Sequence, residues 1–266
     1  MNEINLSSKE LLVLSSFLGA DNFFGIKDPF RGMTRDEIRA EIPSIQLQAE
    51  KNGLASLGFD NSFIISSEAD RMISACAMCD MYLSIDVIDC GIQQAREMFY
   101  SRGFTTVSLK CIGENATLLE ESNQEVAKKL MATLFASCSE VLPTKQESIY
   151  IHRSTLAQAY TEPENQMVQK LMDEGCSSEM ATAIASGLQR KCKYCSLLAV
   201  NLTNRAVKNL ICIISPQGTI RLHPADMENM DIWLAHWITK SQIEGILSDM
   251  LGEFGAHDGG EANAGM

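Results

Sequence analysis

No window of the sequence approaches the ~18 uninterrupted apolar residues that a membrane-spanning helix needs. The opening residues, MNEINLSSKELLVLSSFLG, lack the basic stretch of a secretory leader, and their short apolar run is broken by Ser15, Ser16 and Gly19. The expectation is a soluble, cytoplasmic chain. Positive charge is scarce as well: 22 Lys and Arg stand against 34 Asp and Glu, for a net charge of −12. A surface that acidic repels phosphate backbones and anionic lipids, which argues against nucleic acid or a membrane as the partner.

The residue patterns of catalysis are missing too. The four histidines (His152, His223, His236, His257) are scattered and none belongs to an HExxH motif. No GxSxG or P-loop glycine pattern sets up a nucleophile or a phosphate cradle. Gly25, Gly32 and Gly53 read as loop glycines. The chain is therefore read as a non-enzyme, with no catalytic residue, no metal and no cofactor assigned.

What is present is globular: 266 residues, 45% hydrophobic and 21% charged, enough to bury a substantial core. Ser7 or Ser8 caps a first helix over Leu6 to Gly19. Thr34 and Glu37 form a capping box for a second helix that stops at Asn52-Gly53, and a third runs from Glu68 to about Met78. With a short strand ending in FII before the third, the first eighty residues outline a winged-helix-like segment. The period then changes to alternation. Strands are expected at Met81 to Ile88, Ala95 to Tyr100, Thr105 to Ile112 and Ala116 to Glu120, an antiparallel meander closed by a helix capped at Ser122.

After a boundary at Ser139 to Ser148, a strand at Ser148 to His152 and two or three helices over Thr155 to about Lys191 precede a second meander. Its strands are Cys195 to Leu202, Val207 to Ser215, Thr219 to His223 and Met230 to Ile238, and Thr239 caps the last helix. The domain reading is an N-terminal half at 1–140, a C-terminal half at 148–251 and a disordered tail at 252–266. The two closing helices agree at a single offset of 117 residues. Ser122 matches Thr239, Glu125 matches Gln242, Val126 matches Ile243, Leu130 matches Leu247 and Leu134 matches Leu251. Caps and apolar positions that coincide together point to a duplicated unit, its halves meeting through their sheets about a pseudo-twofold axis. The fold class is α+β: two quasi-repeated halves, each an antiparallel meander flanked by helices.

Nine cysteines are an odd count, read as reduced thiols. Two CxxC pairs, Cys76-Ala-Met-Cys79 and Cys192-Lys-Tyr-Cys195, are the sharpest chemical signal, and four thiolates could hold zinc. Their separation of 113 residues is far beyond a zinc-ribbon interval, and i, i+3 cysteines on an apolar helix simply share a face. A zinc or thiol protein stays open as the alternative. More informative are apolar residues in exposed-looking places. Ile88 and Ile92 flank Gly91 in the link between the first two strands. Trp233 and Trp237 share one strand face with Ala235 between them.

Four stretches carry a likeness to a known family: NLSSKELLVLSSFLGAD; KNGLASLGFDNSFIISSEADRMI; YSRGFTTVSLKCIGENATLLEESNQEVAKKLMATL; and NLICIISPQGTIRLHPADMENMDIWLAHWITKSQIEGILSDML. In element order and apolar pattern the chain resembles the EspG-type chaperones of type VII (ESX) secretion systems and their Firmicute counterparts. The resemblance implies two quasi-symmetric halves joined by an antiparallel sheet. It implies a cytosolic, non-enzymatic chaperone that binds the tip of a secreted helical-hairpin protein and hands it to the secretion machinery. It places partner binding on the loop Ile88, Asp89, Gly91, Ile92 and Gln93 and on the segment near Met167, Leu171 and Met172. Trp233 and Trp237 join these as candidate binding residues from the exposed-apolar argument. An immunity or adaptor protein would use the same binding physics on a different partner.

Overall fold

The computed structural model describes residues 2–20, 23, 25–60, 62–135, 147–159, 161–226 and 230–255. The first half runs β1 (Glu3–Ser7), α1 (Ser8–Phe17), α2 (Arg35–Lys51), β2 (Ala55–Leu57), β3 (Phe63–Ile65) and α3 (Ser67–Ala77). It continues as the meander β4 (Met81–Asp89), β5 (Ile92–Arg102), β6 (Thr105–Ile112) and β7 (Asn115–Glu121), closed by α4 (Asn123–Phe135). The second half repeats the plan. It begins with β8 (Ser148–His152), α5 (Arg153–Gln158), α6 (Glu164–Asp173) and α7 (Ser178–Leu188). The meander β9 (Lys193–Asn201), β10 (Ala206–Ser215), β11 (Gly218–Pro224) and β12 (Ile232–Ile238) follows, closed by α8 (Lys240–Gly255).

The two meanders fuse into one ten-stranded sheet, in the order β1-β7-β6-β5-β4-β9-β10-β11-β12-β8. The order is a palindrome about the β4–β9 seam, where Met81 pairs with Asn201 and Ile88 with Tyr194 in an antiparallel register. Both seam strands have nine residues and their midpoints, Ile85 and Leu197, face each other, which places the pseudo-twofold axis between them.

Alternation along the strands sorts side chains onto two covers. Met81, Leu83, Ile85 and Val87 join Cys195, Leu197, Leu210 and Cys212 on one face, and α4 and α8 pack over them and against each other. The repeated residues Val126, Leu130, Ile243 and Leu247 are all buried there. The opposite face is covered in the first half by α1 and α3, over Tyr82, Tyr100, Val107 and Leu118. In the second half α5, α6 and α7 cover Ile213, Ile220, Leu222 and Ala235. The closing helices start as the capping pattern requires. Glu125 N–H donates to Ser122 Oγ at 3.3 Å and Gln242 N–H to Thr239 Oγ1 at 3.3 Å, each box partner accepting back from the cap.

Several boundaries differ from the sequence reading. Leu6 lies in a strand, not a helix: β1 pairs with β7 (Leu6 opposite Ala116), and Ser7 caps α1 after it. The strand alternation of EINLS spans only five residues, too short to announce itself beside the stronger helical pattern that follows. The FII strand is the second arm of a hairpin, β2 with β3. The second meander strand begins at Ile92, three residues before Ala95, and the last at Ile232. Helix α8 runs through Gly255, so the expected tail does not begin at Gly252; the rest of it, with His257, lies outside the described residues, as do 139–146 of the expected boundary.

Beneath α8, β11 and β12 carry Arg221, His223 and His236 on one face. The His236 imidazole is pushed down to about 4, first by burial and then by the positive charge of Arg221 and by His223. The unfolded chain takes up that proton near 6.5, so folding is penalised as pH falls. This group's contribution is fully present above about pH 6.5 and is lost between there and about pH 4. Because the ring is half-exposed, screening holds the loss to about 1–2 kcal/mol. The expected outcome for His236→Gln is a shallower fall in denaturation midpoint across that window, read from urea melts at about pH 7 and about pH 4.5.

Candidate partner-binding surface

The β4–β5 hairpin is built to project a rigid tip. Its two-residue turn, Cys90-Gly91, has φ of 47° and 80°, the type I′ signature whose twist matches the flanking strands. The pairing register slips between Val87 and Ile88, so Gln94 is an extra residue on β5, a bulge that re-aims the tip. Asp86, further down β4, takes the Gln93 side-chain amide at 2.7 Å and sits 3.6 Å from Arg96 Nε, tying the two strands together beside the bulge. With that framework fixed, Ile92 remains 66% exposed, Ile88 and Asp89 are half-buried, and Gly91 and Gln93 are exposed.

The tip does not stand alone. Cys90 Sγ lies 3.6 Å from the carbonyl oxygen of Lys191, in the link between α7 and β9, and Ile88 pairs with Tyr194 across the seam. Lys191 Nζ reaches Glu164 Oε2 at the start of α6 (2.7 Å), and Ser186 of α7 donates to the other oxygen of that carboxylate (2.6 Å). Together they hold the Glu164 carboxyl below its ordinary range, Lys191 contributing most. A groove of about 390 Å³ opens there, lined by Ala159, Pro163, Leu188, Arg190 and Lys191 among others. The hairpin tip of the first half and the α6–α7 end of the second thus form one continuous surface.

The other expected residues separate. Met167 and Leu171 are completely buried between α6, α7 and the sheet, so they hold α6 in place and offer no contact surface of their own. Met172, one residue on, is 40% exposed. Trp237 is buried under the helical cover at 7% exposure. Trp233 is half-buried on β12, well across the sheet from the hairpin, its indole N–H donating to Met230 O at 3.1 Å. Both tryptophans belong to the sheet's second-half packing and not to the hairpin surface. Arg190, with φ of 58°, and Lys191 also line this surface, although neither is apolar; their sequence signal is the basic pair Lys191 and Lys193 around Cys192.

The CxxC cysteines do not converge. Cys76 and Cys79 lie in the core beneath α1 and α3, Cys195 lies under α4 and α8, and Cys192 packs on the α7 side, so no single ion reaches all four sulfurs. Burial pushes the Cys79 and Cys192 thiols up to about 11 and raises Cys76 well above its ordinary value.

Gly91 tests the tip directly. A β-branched side chain at φ 80° costs about 1–2 kcal/mol locally. The expected result for Gly91→Val is amide exchange about tenfold faster at Ile92 and Gln93, with an unchanged rate in the β4–β9 seam.

The geometry defines a class: a two-half, helix-covered antiparallel sheet with an apolar hairpin tip at the junction of its halves. No family model and no curated protein matches the chain. Among solved structures the fold matches the Mycobacterium tuberculosis type VII secretion system chaperone EspG5, solved in complex with a PE25–PPE41 dimer. The TM-score is 0.62 at 13% sequence identity, over 94% of this chain and 96% of that one. Among the described residues no helix is long and apolar enough to cross a membrane.

Proposed function

We propose that this chain is a cytoplasmic secretion chaperone of the type VII kind. It binds an exported helical-hairpin protein by its apolar tip and delivers it to the secretion machinery, without nucleotide or metal. The observation that carries the reading is the exposed Ile92 on a rigid hairpin, set against the α7–β9 link where the two halves meet. The likeness of fold to a chaperone solved in complex with a PE25–PPE41 dimer supports it. The chain departs from the family in its richness in cysteine and methionine, 9 and 14 residues, and the reading takes it as a Firmicute-like member with a client other than the mycobacterial type.

In this reading Ile88 and Ile92 meet the client's apolar tip, and Asp89, Gly91 and Gln93 shape the contact. Met172 with the Arg190–Lys191 rim extends it on the second half. Met167 and Leu171 act through the position of α6, and the tryptophans through the sheet beneath. An exposed isoleucine on a rigid scaffold loses little conformational entropy on binding, which is why so small a patch can anchor a partner. The experiment is calorimetric titration of the exported client, identified by its stoichiometric co-purification, into wild-type and Ile92→Asp protein. Binding that is equal in both removes the hairpin from the account.

A further inference from the structure

The sheet is split in the second half. Strand β10 pairs with β11 only from Ile211–Leu222 to Ser215–Gly218, whereas Ala206 to Leu210 pair with β9 alone. On the other side His223 and Pro224 stay with β12. The two strands therefore diverge past Ile211, and a cleft of about 750 Å³ opens between them, in the size range of small-molecule sites. The first half diverges at the equivalent place, where β5 leaves β6 beyond Met98–Leu109, but its cleft is smaller, about 520 Å³. Of its cations Arg96, Lys110 and Lys129, two are already committed, Arg96 to Asp86 and Lys129 to Glu121.

The second-half cleft differs in chemistry. Its walls are apolar: Val207, Pro224, Met230 and Trp233, with Ile246 and Met250 from α8. Cationic and polar groups line it as well: Arg205, Lys208, Asn209, Arg221 and His223, against one carboxylate among the described residues, Asp249. Among the described residues, Arg221 Nε is buried without a hydrogen-bond partner, and so are Asn209 Oδ1 and Nδ1 of the neighbouring His236. Burial lowers the guanidinium's proton affinity, and burial together with the charge of Arg221 keeps His223 and His236 below their ordinary range. A half-buried guanidinium with an unmet donor at an apolar-walled cavity, in a protein of net charge −12, is costly unless an anion completes it.

We propose that this cleft is a binding site for a small amphipathic carboxylate, a free acid with an aliphatic body. The head group takes Arg221, and the body lies along Met230, Trp233, Ile246 and Met250. This goes beyond the chaperone reading and does not depend on it, because the site is bounded by β9, β10, β11, β12 and α8 and not by the β4–β5 hairpin.

The test uses purified full-length chain and 12-bromododecanoate, whose bromine quenches tryptophan emission on contact; Trp233→Phe identifies the responding indole. Saturable quenching of Trp233 is expected. Arg221→Gln weakens it by about ten- to hundredfold, the range for losing a charged hydrogen bond. 12-Bromododecanol, which has the same body and no charge, binds wild type and Arg221→Gln alike and more weakly than the acid binds wild type. Should Arg221→Gln fail to fold, Met230→Glu replaces it: Met230 is exposed at the rim, and a carboxylate there repels the head group. No saturable quenching, equal affinity for acid and alcohol, or quenching that survives both variants overturns the proposal. So does competition only by an acidic apolar peptide and not by unlabelled dodecanoate.

Discussion

Ile92→Asp is expected to weaken client binding by about a hundredfold or more while leaving the melting temperature within about 2 °C of wild type. The first figure follows from the central position that the proposed function gives the residue. An apolar anchor that is desolvated on binding contributes about 2–4 kcal/mol, and a carboxylate in its place must be buried without a partner. The second follows from exposure: at 66% accessible, the isoleucine contributes little to the folded core, and the aspartate stays in water in the free protein. Ile88→Asp is a harsher substitution because Ile88 is half-buried beside Tyr194, so part of its effect falls on stability. Calorimetry for affinity and circular-dichroism melting for stability separate the two. An Ile92→Asp protein that melts like wild type and still binds is the outcome the account cannot accommodate.

The second large effect concerns the pseudo-twofold axis. Leu130 and Leu247 are fully buried at equivalent positions of α4 and α8, over the β4–β9 seam. Truncating either to Ala removes three carbons from a packed core and is expected to cost about 2–5 kcal/mol, read as a fall in the urea midpoint. Because α4 packs against α8, the two truncations share neighbours and the double variant is expected to depart from additivity by about 0.5 kcal/mol or more. If the halves were independent units resting loosely together, the double variant would melt in two steps and the losses would add.

How much of this was legible follows from which signals are local. Caps and helical periodicity are local, so the 117-residue match between Ser122 and Thr239 and the helices behind them could be read directly, and with it the repeated plan. Alternation located the meander strands for the same reason. Pairing between distant segments is not local. Nothing in EINLS shows that it will lie against β7, and nothing in the strands shows that β4 and β9 form the seam. The proposed binding surface was legible in part for a related reason. A Cys-Gly link flanked by isoleucines announces a hairpin with an apolar tip. Burial depends on what lands on top, so Met167, Leu171 and Trp237 looked like available apolar residues until α7 and the sheet closed over them. The rim at Arg190 and Lys191 is set by tertiary contact with Cys90, about a hundred residues away in the chain.

The most direct test of the central claim is a paired affinity purification of the tagged chain from its native cells, wild type beside Ile92→Asp, with co-purifying proteins identified and quantified by mass spectrometry. The account predicts one stoichiometric helical protein that the cell exports, present with wild type and lost with the variant. Wild type that elutes alone, or the same companions retained by Ile92→Asp, contradicts it.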